Sequence, residues 1–207
     1  MSTADLPALC GPIDIYLFDQ ILRGRITSGM RVLDAGCGRG RNLHYLLASG
    51  FDVSGVDSDP RAIAAVWDLA SRLAPHLPLD HFRVESVEQM SFPAGHADVV
   101  VSSAVLHFAT DEQHFMRMLH GSWRVLAPGG LFFCRLASSI GMESRVKQVA
   151  GRRYQLPDGS ERFLVDEAML MRLTRELGGD LLDPLKTTIV QDQRCMTTWV
   201  VRKGNSA

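Results

Sequence analysis

The chain has 207 residues, 46% of them hydrophobic and 22% charged, and its formal net charge is −1. This length and apolar content predict one globular domain over residues 1–207, and the near-neutral charge excludes a long-range field that would draw nucleic acid or an anionic membrane to the whole molecule. We expect a cytoplasmic protein, because no apolar run approaches the roughly 20 residues that span a bilayer and the first nine residues lack the features of a signal peptide.

The start of the chain predicts a helix, a strand and a glycine turn. Residues 12–23 are rich in apolar side chains and begin with a proline, which suits the first turn of a helix. The apolar run Arg31–Ala35 predicts the first strand, and the glycines at positions 36, 38 and 40 follow it directly. Apolar spacing then predicts a helix up to about residue 49. A strand, a glycine turn and a helix in this order form a cradle for a nucleotide-like ligand.

The remaining elements continue the alternation of strands and helices. They are, in chain order, strand 52–57, helix 61–74, strand 81–84, strand 97–103, helix 111–125, strand 131–136, helix 166–177 and strands 185–191 and 195–202. Such alternation is typical of an α/β fold, a doubly wound and mostly parallel sheet with helices on both faces. Only three residues separate the last two strands, so we expect a hairpin and an antiparallel final strand.

Two ligands are compatible with the glycine turn, a nicotinamide or flavin dinucleotide and S-adenosylmethionine. A dinucleotide is typically bound by Gly-x-Gly-x-x-Gly, whereas this chain has Gly36-x-Gly38-x-Gly40. Asp34 lies two residues before the first glycine, where a carboxylate would repel a pyrophosphate but attract the ammonium group of S-adenosylmethionine. Asp57 ends the second strand, where it can accept hydrogen bonds from the ribose hydroxyls of either ligand.

The motifs in this order resemble those of the class I, Rossmann-like S-adenosylmethionine-dependent methyltransferases. The segments that carry the resemblance are Val32–Gly40, Gly55–Asp57, Asp98–His107, Leu126–Gly130 and the closing hairpin. The resemblance implies a seven-stranded sheet in the order 3-2-1-4-5-7-6, with strand 7 antiparallel. Within the family, residues 40–47 look most similar to small-molecule methyltransferases, including those of the tellurite-resistance type.

The resemblance also implies which residues bind S-adenosylmethionine. The backbone of Gly36, Cys37 and Gly38 would face the methionine part, Asp34 would face its ammonium group directly or through water, and Asp57 would hold the ribose. The carboxylates of Asp34 and Asp57 would therefore both contact the cofactor.

The adenine and methyl ends of the cofactor are assigned in the same way. Ser86 and Val87 would lie at the adenine, although Ser86 stands where relatives carry an aspartate, so that Glu88 or a backbone group is an alternative. Ser103 and Leu106 would line the methionine pocket after the fourth strand.

The chemistry of methyl transfer suggests two catalytic candidates. The reaction is an in-line displacement for which a general base is optional. His107 follows strand 97–103, where it acts either as a general base near the methyl group or as a partner of the loop backbone. Arg135 ends strand 131–136 and binds an anionic part of the acceptor or forms an ion pair, and we favour the first role.

Residues 137–162 and the first helix complete the predicted acceptor side. The insertion 137–162 is rich in basic residues, which suggests an acidic acceptor, although solvated charges are the default interpretation for most of them. Tyr16 in helix 12–23 either covers the cofactor as a lid or packs against Phe18. The histidines show no metal-ligand spacing, and no metal is expected.

These observations predict a methyltransferase that moves a methyl group from S-adenosylmethionine to a small-molecule acceptor, with an anionic acceptor as one option. A nicotinamide-dependent oxidoreductase is disfavoured by the glycine spacing and by the lack of a catalytic tyrosine-lysine arrangement. A non-catalytic S-adenosylmethionine-binding protein is a third option. Neither nucleic acid nor a membrane is expected as a partner, and a homodimer is left open.

Overall fold

The computed structural model of the chain describes residues 6–205, which form eleven strands and six α-helices. The strands are β1 (Arg31–Ala35), β2 (Asp52–Asp57), β3 (Phe82–Val84), β4 (Ala97–Ser103), β5 (Leu126–Ala137), β6 (Lys147–Ala150), β7 (Arg153–Gln155), β8 (Glu161–Phe163), β9 (Gly179–Leu181), β10 (Lys186–Val190) and β11 (Arg194–Lys203). The helices are α1 (Leu6–Cys10), α2 (Ile15–Leu22), α3 (Leu43–Ala48), α4 (Pro60–Leu73), α5 (Glu112–Val125) and α6 (Glu167–Glu176).

The main sheet has the strand order β10-β11-β5-β4-β1-β2-β3. Strands β1 to β5 pair in parallel, whereas β11 pairs antiparallel with both β5 and β10. The predicted order 3-2-1-4-5-7-6 and the antiparallel closing hairpin are therefore confirmed. The short strand β9 adds an eighth member, which the sequence does not predict, along the end of β11.

Aspartate side chains begin the longer helices. Each of these side chains is the N-cap of its helix, and its carboxylate accepts a hydrogen bond from a backbone N–H of the first turn. The N-caps of α2, α4, α5 and α6 are Asp14, Asp59, Asp111 and Asp166, respectively. Because Asp14 caps α2, this helix begins at Ile15 and not at the predicted proline. No helix among residues 6–205 has both the length and the apolar content to cross a membrane.

The core lies in two layers, one on each face of the main sheet. Alternate side chains of β1 and β4 point to opposite faces: Val32 and Val99 pack with α3 and α4, whereas Leu33 and Val100 pack with α5 and α6. This burial on both faces explains why β4 is a continuous apolar run.

The insertion after β5 folds into a second sheet, which is antiparallel with the order β6-β7-β8. The sequence does not indicate these strands, because each has only three or four residues and most of their side chains are exposed. A small apolar cluster of Ala137, Leu156 and Leu164 lies beneath the sheet. The second sheet therefore stands beside the carboxyl end of β5, where it can contribute to a binding site.

Candidate functional site

The glycine turn follows β1, and its glycines have a backbone conformation that other residues rarely adopt. Gly36, Gly38 and Gly40 have φ angles of 86°, 54° and 85°. A Cβ atom on Gly36 would lie 2.5 Å from a methyl carbon of Val105, whereas a Cβ on Gly38 would meet no atom within 4 Å. Gly36 is therefore required for packing, and Gly38 leaves open space next to its backbone.

The amide hydrogens of the turn are used within the protein. Those of Gly36 and Cys37 both donate to the carbonyl oxygen of Val56 at 2.9 Å, and that of Gly38 donates to Oδ2 of Asp57 at 2.9 Å. A dinucleotide pyrophosphate would need such donors to be free. The turn instead has carboxylates beside it, which favours a cationic ligand such as S-adenosylmethionine.

A cavity of about 680 Å³ opens at the turn, at the carboxyl ends of the parallel strands. We refer to it as the cofactor cavity. Seven of the predicted cofactor residues line it, namely Gly36, Cys37, Gly38, Asp57, Ser86, Val87 and Ser103. The Cys37 side chain is buried, so this residue presents mainly its backbone to the cavity.

Asp57 is oriented by the backbone around it. Its Oδ2 accepts the Gly38 hydrogen bond, and its Oδ1 accepts one from the Asp59 amide at 2.9 Å. Each carboxylate oxygen keeps a second lone pair. The Asp57 carboxylate is thus held at the cavity wall and can still accept hydrogen bonds from a ribose.

Asp34 lies behind the turn and is 1% exposed. It is not among the residues that line the cofactor cavity, and neither of its carboxylate oxygens has a hydrogen-bond partner of good geometry among the described residues, although the Asn42 side chain lies near enough to favour the ionised form. Burial raises the pKa of Asp34 to about 7, against the opposing effect of the nearby Arg41 charge. A buried carboxylate without a partner is costly, and a bound ammonium group would supply the missing partner. The site therefore fits the positive end of S-adenosylmethionine.

The predicted adenine end of the cofactor cavity contains Ser86, Val87 and Glu88. Glu88 Oε1 lies 3.5 Å from Nε2 of His114, while the Ser86 side chain makes no hydrogen bond within residues 6–205. Ser86 is thus the freer of the two polar side chains, and its contact with adenine stays a prediction. The α5 residues His114 and Met118 also line this end, which the sequence interpretation missed because Met118 has ordinary core spacing.

A second cavity of about 310 Å³ adjoins the first, and we call it the acceptor cavity. Ala104 belongs to the walls of both cavities. This residue has a φ angle of 64°, and its amide donates to the carbonyl oxygen of Arg135 at 2.7 Å. Strained backbone of this kind is concentrated at functional sites. Ala104 therefore marks the place where two bound molecules would meet.

The acceptor cavity is positively charged. Three guanidinium groups line it, from Arg135, Arg162 and Arg194, against the single carboxylate of Asp158. No sequence pattern marks Arg194 as a site residue, because it lies in the closing hairpin and comes close to the cavity only in the folded chain.

Other basic residues of the insertion are engaged elsewhere. The ion pairs are Arg145 with Asp192 at 3.1 Å, Arg152 with Asp166 at 2.9 Å and Arg153 with Glu161 at 2.7 Å. None of these three arginines lines the acceptor cavity. Solvated or paired charge is the correct interpretation for them, whereas Arg162 contributes to the cavity.

His107 lines the acceptor cavity and is 5% exposed. Its Nδ1 accepts a hydrogen bond from the Ala137 amide at 3.1 Å. Burial, together with the positive charges of Arg162 and Arg135, lowers the pKa of His107 to about 4. The ring is therefore neutral at physiological pH, and its remaining proton is on Nε2.

Arg135 forms the ion pair considered for it, and its role in binding an anionic acceptor stays a prediction. It lines the acceptor cavity, and its Nη1 donates to Oδ2 of Asp14 at 3.4 Å. Its Nε is buried without a hydrogen-bond partner among the described residues. The guanidinium also lies over the ring of Tyr16, at 5.2 Å from its centroid, and the Tyr16 hydroxyl bonds to Thr188. Tyr16 thus contacts the acceptor side, while Phe18 packs on Tyr45.

The prediction that Leu106 lines the methionine pocket is wrong. Leu106 is completely buried in the core, and Ala104 and Val105 form the cavity wall instead. The left-handed conformation of Ala104 changes the chain direction directly after β4, so the side-chain alternation of the strand does not continue.

Metal ligands form no obvious cluster in the described part of the chain. Among residues 6–205, no group of three or more histidine, cysteine, aspartate or glutamate side chains is placed to hold an ion. Metal-free transfer stays a prediction.

Comparison with known proteins shows which proteins the chain is similar to. A family model described as "Methyltransferase domain" matches residues 33–134, about half of the chain, from within β1 to within β5. Together with the fold, this match shows that the chain is similar to the class I S-adenosylmethionine-dependent methyltransferases, and it supports S-adenosylmethionine as the cofactor.

Individual relatives support the same class. An uncharacterized methyltransferase of Synechocystis sp. is 35% identical over 52% of this chain and 47% of its own length. A ubiquinone biosynthesis O-methyltransferase of Methylocella silvestris is 31% identical over 64% of this chain and 49% of its own length. The chain thus spans about half the length of these two relatives.

A solved structure shares the fold over most of the chain. The 1,6-didemethyltoxoflavin-N1-methyltransferase of Burkholderia thailandensis, solved with 1,6-didemethyltoxoflavin and S-adenosylhomocysteine, has a TM-score of 0.67 and 22% identity. The alignment covers 91% of this chain and 76% of that one.

Proposed function

We propose that the protein transfers a methyl group from S-adenosylmethionine to a small anionic molecule bound in the acceptor cavity. The observation that carries this proposal is the junction at Ala104, where a cavity suited to a cationic cofactor meets a cavity lined by arginines. Residues of one copy of the chain form both walls.

The cofactor would be held from three directions. The backbone of the turn and Ser103 would enclose the methionine part, with Asp34 opposite its ammonium group. Asp57 would accept hydrogen bonds from the ribose hydroxyls, and Ser86 with Val87 would lie at the adenine. The unpartnered carboxylate of Asp34 and the preset orientation of Asp57 support these roles.

The acceptor would be held by charge and enclosed by apolar side chains. Arg135 and Arg162 line the cavity and would bind an anionic group, and Leu156 and Met196 supply apolar wall to the same cavity. The named relatives act on small molecules: the Methylocella enzyme in ubiquinone biosynthesis and the Burkholderia enzyme on a didemethyltoxoflavin. An acceptor of comparable size is consistent with the volume of about 310 Å³.

S-adenosylmethionine supplies a methyl group on a positively charged sulfur, which makes the carbon open to in-line displacement. The protein would contribute mainly by holding the two molecules at the Ala104 junction and by limiting the access of water. We include a cytoplasmic location in the proposal, which the four free cysteines support.

Calorimetric titration and a transfer assay test the proposal. We expect S-adenosylmethionine and S-adenosylhomocysteine to bind, NAD to bind weakly or not at all, and the mass of a small carboxylate- or phenolate-containing acceptor to increase by one methyl group. Binding of NAD alone would favour the oxidoreductase alternative. Cofactor binding without transfer to any thiol, amine, phenol or carboxylate would favour the non-catalytic alternative.

A further inference from the structure

We propose that the acceptor is methylated as a preformed anion, without a protein general base, and that His107 donates a hydrogen bond to it. This inference rests on the proposed function, because it concerns the nucleophile of the same reaction. It narrows the acceptor to molecules whose reacting group is acidic enough to lose its proton before transfer, such as acidic phenols, thiols and carboxylic acids.

The first argument is the hydrogen bonding of His107. A general base must offer a free lone pair to the acceptor. The Nδ1 lone pair accepts the Ala137 amide hydrogen at 3.1 Å, so the neutral ring has its proton on Nε2. Nε2 makes no hydrogen bond within the part of the chain that the structure describes, and the ring lines the acceptor cavity. The imidazole is therefore arranged to donate a hydrogen, which suits an anion.

The second argument is that the other ionisable groups of this cavity are also poor bases. Asp158 accepts hydrogen bonds from the amide and the hydroxyl of Ser160 at 2.9 and 2.6 Å, and these bonds hold its pKa below the ordinary value. The Cys195 thiol donates to the carbonyl oxygen of Ile140 at 3.3 Å, and burial raises its pKa. A carboxylate that is already stabilised and a thiol that keeps its proton do not readily take one from an acceptor.

The third argument is the placement of the guanidinium groups. Arg135 comes from β5, Arg162 from β8 and Arg194 from β11, so arginines line the cavity from three separate strands, and Arg162 and Arg135 lie near enough to act on the His107 ring. Arg162 is further positioned over the Phe108 ring, at 5.0 Å from its centroid, and Phe108 lines the cofactor cavity. A positive charge within about 4–6 Å of a bound acid lowers the pKa of that acid by about 1–3 units, which favours its ionised form.

The reaction balances without a proton acceptor. The bond between the methyl carbon and sulfur breaks as the carbon bonds to the acceptor, and the sulfur keeps the electron pair. The negative charge of the acceptor cancels the positive charge of the sulfonium, and both products are neutral at the reacting atoms. A neutral acceptor would instead release a proton, for which these cavity groups offer no suitable base.

The test uses 3-nitro-4-hydroxybenzoate, whose phenolate has a visible absorption band and whose carboxylate resembles the expected anionic group. The absorbance of the phenolate is measured as a function of pH, once with the compound free in solution and once with it bound to the wild-type protein without cofactor. We expect the midpoint of phenol ionisation to fall by about one pH unit or more on binding. An unchanged or raised midpoint, or no binding, overturns the inference. Because no methyl donor is present, this result is independent of whether the protein binds S-adenosylmethionine.

Two substitutions of His107 separate hydrogen donation from structural support. His107→Gln places a donor near the position of Nε2, whereas His107→Asn can accept the Ala137 hydrogen bond in place of Nδ1 but lacks that donor. We expect the midpoint in the Gln variant to stay close to that of the wild type and the midpoint in the Asn variant to rise. Equal midpoints in the two variants would contradict the donor role.

Substitution of arginines inside and outside the cavity provides a matched control. Arg162→Gln should raise the midpoint of the bound phenol, since a cavity charge is removed. Arg145→Gln should leave it unchanged, because Arg145 pairs with Asp192 outside the cavity. Equal shifts in both variants would show a general charge effect and contradict the proposed site.

Discussion

The Ser103 hydroxyl donates a hydrogen bond to Oδ2 of Asp14 across 3.1 Å and so joins the cap of helix α2 to the end of strand β4. The same carboxylate oxygen lies 3.4 Å from Nη1 of Arg135 and 3.7 Å from Nη2 of Arg41. Ser103 and Arg41 line the cofactor cavity, and Arg135 lines the acceptor cavity. One buried carboxylate thus supports the walls of both cavities.

Replacement of Asp14 should therefore reduce stability more than the loss of a helix cap alone. Asp14 is 5% exposed, and its removal would leave the half-buried Arg135 without this partner. We expect Asp14→Ala to lower the free energy of unfolding by about 2–3 kcal/mol in urea titrations. Asp14→Asn keeps a good N-cap side chain and should cost about 1 kcal/mol less.

The control for Asp14 is a cap that is exposed. Asp59 caps α4, and within residues 6–205 its side chain forms hydrogen bonds only with the backbone amide and the exposed guanidinium of Arg61. Asp59→Ala should cost about 1 kcal/mol. A loss of the same size in Asp14→Ala would show that the contacts with Ser103 and the arginines add no stability.

Asp57→Ala should weaken binding of S-adenosylmethionine by about 100-fold in calorimetry, because hydrogen bonds to a charged acceptor contribute about 1.5–3 kcal/mol each. The substitution also frees the Gly38 amide, which would loosen the turn. Asp52 lies at the other end of the same strand and is exposed, so Asp52→Ala should bind like the wild type. Equal affinities in the two variants would remove Asp57 from the ribose site.

Asp34 should make both stability and cofactor binding depend on pH. Its pKa in the folded chain, about 7, lies above the ordinary value near 4, so the folded state binds this proton more tightly than the unfolded state. The free energy of unfolding should therefore decrease as the pH rises from about 4 to about 7. In Asp34→Asn this decrease should be absent, as measured by urea titrations at several pH values.

Cofactor binding should have the opposite pH dependence. A bound ammonium group favours the ionised form of Asp34, so binding releases a proton below pH 7. Affinity should rise by up to about tenfold per pH unit up to about 7 and then level off. Calorimetry in buffers of different ionisation enthalpy counts the protons released. The same proton release in Asp34→Asn would assign it to another group.

The cofactor side could be predicted from the sequence because its residues follow directly after apolar strands. On the acceptor side, His107, Arg135 and the insertion that carries Arg162 could be predicted as well. Arg194 could not, because it lies 32 positions from Arg162 and the two meet only through the second sheet and the closing hairpin. The prediction for Leu106 is wrong because the left-handed backbone of Ala104 ends the alternation of side-chain directions along β4. No local pattern of residues indicates that conformation.

Two of the three glycines of the turn, Gly36 and Gly38, should respond differently to substitution by alanine. In Gly36→Ala the new Cβ would clash with Val105, and the positive φ angle adds strain, so we expect a loss of about 3 kcal/mol or more in the free energy of unfolding. In Gly38→Ala only the conformational strain applies, about 1 kcal/mol, because the Cβ would meet no protein atom within 4 Å.

That Cβ would instead occupy space beside the cofactor cavity, so Gly38→Ala should weaken S-adenosylmethionine binding by about tenfold while remaining folded. Gly50 provides the control, because it has a φ angle of 74°, equally open surroundings and a position outside the cavity. Gly50→Ala should have the same cost in urea titrations and unchanged affinity in calorimetry. If Gly38→Ala binds the cofactor as tightly as Gly50→Ala does, the backbone at Gly38 is not in contact with it, and the turn holds its ligand through the carboxylates alone.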